Sequence, residues 1–141
     1  MKSKPIHILL FFIIIMMLGC KKNNSSTSKS LAIPEGLVFN DGDKWVVNEA
    51  THIGMKRIDS ILKNNTSLNG KVLGDAISKE TSFIIKSCDM TGKAHDQLHV
   101  ILVPILEETT DIKDVNDATI FKDKAAYIKR LVNTYFEYFK A

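Results

Sequence analysis

Cys88, Met90, His95 and His99 bring a thiol, a thioether and two imidazoles into the twelve residues Cys88-Asp89-Met90-Thr91-Gly92-Lys93-Ala94-His95-Asp96-Gln97-Leu98-His99. All four are soft or borderline metal donors, and the mixture suits copper(I), with zinc and haem iron as weaker contenders. Thr91-Gly92 reads as a turn, so Cys88 closes one helix while His95 and His99 open the next. Two histidines four residues apart share a helix face, with their Cβ atoms about 6 Å apart. In this reading Cys88 is the anionic anchor, His95 and His99 are neutral imidazole ligands, and Met90 or Met55 is a weak thioether favouring the cuprous state. Asp96 or a carboxylate of the last helix would hold the free ring nitrogens. The bland alternative makes Cys88 an inert buried thiol, the histidines helix-surface residues and Met90 a loop plug. Clustering weighs against it, because beyond the N-terminal segment His52 and Met55 are the only other residues of these kinds.

Lys2 and Lys4 precede Ile6 to Leu18, a thirteen-residue apolar run broken only by His7, which is short for a bilayer span and suits a signal peptide. Gly19-Cys20 after such a run looks like a bacterial lipobox, in which Cys20 is diacylated and becomes the mature N-terminus. The expected organisation is a lipoprotein signal over 1–19, lipidated Cys20 and a flexible tether over 20–33, and a folded domain over 34–141. The tether is polar, with Lys21, Lys22 and Lys29 and no acid. Beyond Ser30 there are 14 Lys plus Arg against 16 Asp plus Glu, so the net +3 belongs to the N-terminal segment and nothing supports nucleic-acid binding. With Cys20 on lipid, Cys88 has no disulfide partner in an oxidising compartment, so it must be buried, metallated or used to join two chains.

About 108 residues suffice for one core and not for two domains. The segment before the first helix is irregular around Pro34-Glu35-Gly36 and Asn40-Asp41-Gly42-Asp43, with Asp41 or Asp43 as a candidate cap. From Lys44, the positions Val47, Thr51, Met55, Ile58 and Leu62 keep a helical period. A second helix starts near Asn69 and carries Leu73, Ile77, Ile84 and Cys88, with Gly70 and Gly74 weakening its first turns. The third runs through His95, Leu98, Leu102 and Ile105, and Pro104 should kink it and free the Val100 carbonyl. Glu107 to Asn116, acidic and poor in apolar residues, reads as a connecting loop. Asp117 caps a last helix whose Phe121, Ala125, Ile128, Val132, Tyr135 and Phe139 recur every three or four residues nearly to the C-terminus. Four amphipathic helices with short connections predict an all-α, up-down-up-down four-helix bundle. That topology brings the turn of helices 2 and 3 to the pole where helix 1 starts, near His52 and Met55. His52, one residue off the stripe, reads as an ordinary half-exposed histidine.

The lipobox, a Trp-x-x-Asn-Glu-like first helix (Trp45-Val46-Val47-Asn48-Glu49) and the C-x-M-x-G-x-A-H-x-x-L-H pattern together resemble a group of small Bacteroidetes-type secreted or lipid-anchored helical proteins. The matching residues are Cys88, Met90, Gly92, Ala94, His95, Leu98 and His99, and the resemblance carries no activity with it. The expected function is a periplasm-facing lipoprotein that binds copper at a closed site as a chaperone, buffer or sensor, exchanging with a donor or acceptor protein. With no open coordination position and no positioned base, it is not expected to be an enzyme. Two alternatives come from other classes. One is a haem b electron-transfer bundle held between Met55 and His95 or His99. The other is a metal-free interaction or inhibitor lipoprotein using its aromatic last helix.

Overall fold

The computed structural model describes residues 33–141. The expected signal peptide, the expected lipidation site Cys20 and all of the expected tether except Ile33 lie outside the described residues. Within the described residues three of the four long helices open on a capping side chain followed by an apolar stripe at three- and four-residue spacing, while the third in chain order opens at Thr91 without a side-chain cap. Helix α1 (Glu49–Asn64) is capped by Asn48, whose side chain accepts from the Thr51 N–H. Helix α2 (Gly70–Ser87) is capped in the same way by Asn69, accepting from Val72. Helix α3 (Gly92–Asp111) contains Pro104 and continues through it. Helix α4 (Ala118–Tyr138) is capped by Asp117, accepting from Thr119 and Ile120. Each cap satisfies donors that a first helical turn leaves without a partner.

The four helices form a four-helix bundle in which α1 packs on α2, α2 on α3, α3 on α4 and α4 back on α1. One core runs through it, with Met55 and Ile58 from α1, Ile77 and Ile84 from α2, Ile101 and Ile105 from α3, and Ile128 and Tyr135 from α4, all fully enclosed. Among the described residues no helix is long and apolar enough to cross a membrane.

Three boundaries differ from the sequence reading. The first helix starts at Glu49 rather than Lys44. Trp45–Val46 form a strand, β1, that pairs in parallel with β2 (Phe139–Lys140), Trp45 opposite Phe139. Burial alternates along Trp45, Val46 and Val47, as on a strand with one covered face, and Asn48 then starts the helix by capping it. Asp41 and Asp43 therefore cap nothing. They belong to a tight turn in which Asn40 and Asp43 exchange backbone hydrogen bonds of 2.9 and 3.0 Å, with Asp41 and Gly42 both at positive φ. At the other end, Phe139 leaves the last helix for β2 and buries its ring there.

The third difference is the acidic stretch after Leu106. In place of a loop, α3 continues to Asp111 and a single 3₁₀ turn covers Ile112–Asp114. Composition misleads here because Glu108 is only 3% exposed and receives Lys124 of α4 at 2.8 Å, while Asp111 meets the same ammonium at 3.2 Å. Burial opposes the charge on Lys124, yet its hydrogen bonds to Glu108 and Asp111 prevail and raise its pKa. Ile112 is fully enclosed. This packing also accounts for the two early glycines of α2. A Cβ on Gly70 would strike the carbonyl of Ile112, and one on Gly74 would lie 2.9 Å from the Thr109 carbonyl and 2.5 Å from Lys113 Cγ. The glycines that lower helix propensity are thus the seam that admits the end of α3.

Two stability outcomes follow. Gly74→Ala gains about 1 kcal/mol of helix propensity but overpacks against backbone, at a cost of roughly 1–3 kcal/mol. The net effect in urea denaturation is a loss of stability, whereas the same change in an open helix gains. Lys124→Met removes the lysine from buried Glu108 and lowers unfolding free energy by roughly 2–4 kcal/mol, discounted because Lys124 is itself partly exposed. Adding Glu108→Met recovers most of that loss.

Candidate metal centre

Cys88 is the residue at which α2 stops. Its backbone is extended, at φ −77° and ψ 113°, and Gly92 restarts the chain as α3 at φ +70°, where only glycine is unstrained. The turn between them is held from α1. Asn48 Nδ2 donates to the Ser87 carbonyl at 2.8 Å and to Asp89 Oδ1 at 2.7 Å, while its Oδ1 caps α1 through Thr51 N–H at 3.0 Å. The start of the first helix and the turn carrying Cys88 therefore share one pole, as the bundle topology requires.

At that pole Cys88, His95 and His99 come together. The Cys88 Sγ lies 3.5 Å from His95 Nδ1, both residues half-buried. His99, one helical turn further along α3, is exposed, and its ring centroid is 4.3 Å from that of His95 at 55°. Met90 sits in the same turn, half-buried, and packs against the core. Met55 is wholly enclosed. Among the described residues, neither thioether makes a polar contact with Cys88, His95 or His99. Nor do three His, Cys, Asp or Glu side chains converge as a cage. The donors form one contacting pair with a third ring beside it.

A sulfur–nitrogen distance of 3.5 Å fits two arrangements. One is a long hydrogen bond between the Cys88 sulfur and the His95 ring, since sulfur is a large and weak partner. The other is the edge of a coordination polyhedron. An ion at about 2.3 Å from a thiolate and 2.0 Å from an imidazole would subtend roughly 110° over that edge, the corner of a trigonal or tetrahedral site. The distance is compatible with the pair presenting two ligands, while the His99 ring lies against His95 and is not in contact with Cys88 among the described hydrogen bonds.

His52 has a more definite place than its sequence position suggests. It is half-buried, and its Nδ1 is 3.1 Å from the Tyr135 hydroxyl of α4. Its ring meets Phe136 edge-on at 5.7 Å, and Tyr135 stacks on Phe139 at 5.0 Å. Burial, followed by the charges of Lys56 and Lys44, lowers the His52 pKa, and burial raises that of Tyr135. The signal in the sequence was Tyr135 itself: a tyrosine on a core stripe must find a partner for its hydroxyl.

Because the folded pKa of His52 lies below its ordinary 6.5, the unfolded chain binds the extra proton first. The His52 contribution is complete above about pH 6.5 and is lost as pH falls through the folded pKa. Urea midpoints for wild type and His52→Gln at pH 8 and pH 5 should show a smaller acid-side loss in the variant. Tyr135→Phe should cost about 1 kcal/mol at pH 8, or about 4–8 °C of melting temperature for a domain near this size. No family profile, curated protein or solved structure matches the chain.

Proposed function

We propose that the protein is a lipid-anchored, periplasm-facing envelope lipoprotein that binds a soft transition metal, copper(I) ahead of zinc, and passes it to or receives it from another protein. The observation that carries this reading is the 3.5 Å contact between Cys88 Sγ and His95 Nδ1, with the His99 ring against His95. A thiolate anchors a cuprous ion, and imidazole completes a low-coordinate site without demanding the geometry that copper(II) prefers. Met90 is the thioether within reach because it belongs to the same turn. Met55 would reach the ion only by leaving the core. The placement of Cys20 on lipid and the kinship with Bacteroidetes-type lipoproteins of the same motif belong to this proposal.

The two alternatives draw less support. A haem between Met55 and His95 would have to open the core around an enclosed methionine. An interaction surface built from the aromatic last helix loses most of its material, since Tyr135, Tyr138 and Phe139 are buried. The reading assigns binding and exchange to the site, not catalysis.

Competition of the protein against a copper(I) chelator under anaerobic conditions tests the assignment. Cys88→Ala should weaken binding by more than the roughly 10–100-fold typical of losing an outer-shell partner. His95→Ala should come next and His99→Ala third, with Met90→Leu least and felt mainly in the preference for copper(I) over copper(II). Metal at a thousandfold excess over its dissociation constant should stabilise the fold by about 4 kcal/mol. Binding that is indifferent to both Cys88→Ala and His95→Ala would overturn the proposal.

A further inference from the structure

A second feature lies in a different part of the bundle, where residues 65–69 connect α1 to α2 beside the first half of α4. A groove of about 240 Å³ opens there, with Leu62 and the buried Leu73 and Phe121 among its lining. Ala125 and Ala126 form its α4 side, and two residues this small leave unfilled the space that larger side chains would occupy. Leu68, at the mouth, is 57% exposed, an apolar side chain left in water at the edge of an apolar slot. Asn65, Thr66 and Ser67 supply a polar rim held by its own hydrogen bonds, Asn65 Nδ2 to the Ser67 carbonyl at 2.9 Å and Asn69 N–H to Ser67 Oγ at 3.0 Å.

The charge of the groove has one sign. Lys122 and Lys129 belong to its lining, which contains no carboxylate. They are seven residues apart on α4, hence two turns along the same side of the helix. Among the described residues neither forms an ion pair, whereas Lys63, Lys71, Lys113 and Lys124 all do. Two unpaired ammonium groups beside an apolar slot complement an anion that carries an apolar tail. At roughly 30 Å³ for a water-sized group, the volume is that of about eight such groups.

We propose that this groove binds a free, medium-chain carboxylate, with the acyl chain over Leu62, Leu73 and Phe121 and the carboxylate between Lys122 and Lys129. The site is independent of the metal reading, since it shares no residue with Cys88, His95 or His99.

Isothermal titration of the protein with octanoate tests it. Octanoate should bind, and across the series from butanoate to octanoate the affinity should rise with chain length. Octyltrimethylammonium, with the same tail and the opposite charge, should not bind. Lys122→Glu with Lys129→Glu, both exposed and so harmless to the fold, should weaken octanoate at least about tenfold, the equivalent of about 1.4 kcal/mol. Ala125→Leu should fill the slot and abolish binding, with circular dichroism confirming the helices. Cys88→Ala should leave octanoate binding unchanged. Equal binding of the cationic amphiphile, or octanoate affinity that survives the charge reversal, would overturn the proposal. So would attachment to phosphatidylglycerol vesicles without octanoate binding, which would mark the lysines as a membrane-facing patch.

Discussion

The carboxamide of Asn48 makes three hydrogen bonds at once, and the relation between α1 and α2 rests on them. Its oxygen ends the extended segment by capping Thr51, and its nitrogen takes the last carbonyl of α2 at Ser87 together with the Asp89 carboxylate. Each such bond is modest, about 0.5–1.5 kcal/mol net, so the consequence is one of register rather than of bulk stability. From that tie the two helices run antiparallel in step. Gly54 comes against Ile84 so closely that a Cβ there would force the Ile84 side chain to move, and Arg57 lies over Phe83 and meets Glu80 at 3.4 Å. A shift of one residue would drive a side chain into the Gly54 seam. The pole that carries Cys88 is fixed by the same register, because Ser87 and Asp89 flank the cysteine on both sides.

The sequence made the helices legible because their caps and stripes obey local rules. Asn69 and Asp117 are where a capping residue must stand, and the apolar positions that follow them face inward. What local rules missed was decided by partners distant in the chain. Trp45–Val46 become a strand because Phe139–Lys140 arrive beside them, and no periodicity near residue 45 announces a partner nearly a hundred residues away. Glu107 to Asn116 looked like a solvated loop because its acids outnumber its apolar residues. Its buried carboxylate is tolerable only once Lys124 reaches across from α4. Gly70 and Gly74 looked like weaknesses in α2 for the same reason: the carbonyls they make room for lie some forty residues further on.

The candidate centre divides along the same line. That His95 and His99 share a helix face is a local fact, and their rings do lie side by side. The Cys88–His95 contact crosses a turn whose shape depends on Gly92 at positive φ and on Asn48 holding the Asp89 side, neither of which spacing reveals. Placing Met55 at the right pole was a matter of topology. Its depth follows from the stripe it shares with Thr51 and Ile58, and one residue of rotation on the helix separates that core position from a half-exposed one such as His52.

The exposure of the donors bears on what kind of metal protein the proposed reading implies. Closed sites that store or fold around a metal surround it with four ligands and exclude water. Cys88 and His95 are half-buried and His99 is exposed, so under the proposed reading a metal held by the pair would be open to solvent on one side. Copper(I) tolerates low coordination, and an incoming thiolate or imidazole from another protein could bond to that open side before Cys88 or His95 lets go. A stepwise exchange of this kind would keep the ion ligated throughout, and so would avoid the large cost of releasing it to water. A fourth ligand drawn from the core would slow the exchange. On this reading the enclosure of Met55 is consistent with a carrier, since it keeps the thioether on the buried side from closing the site.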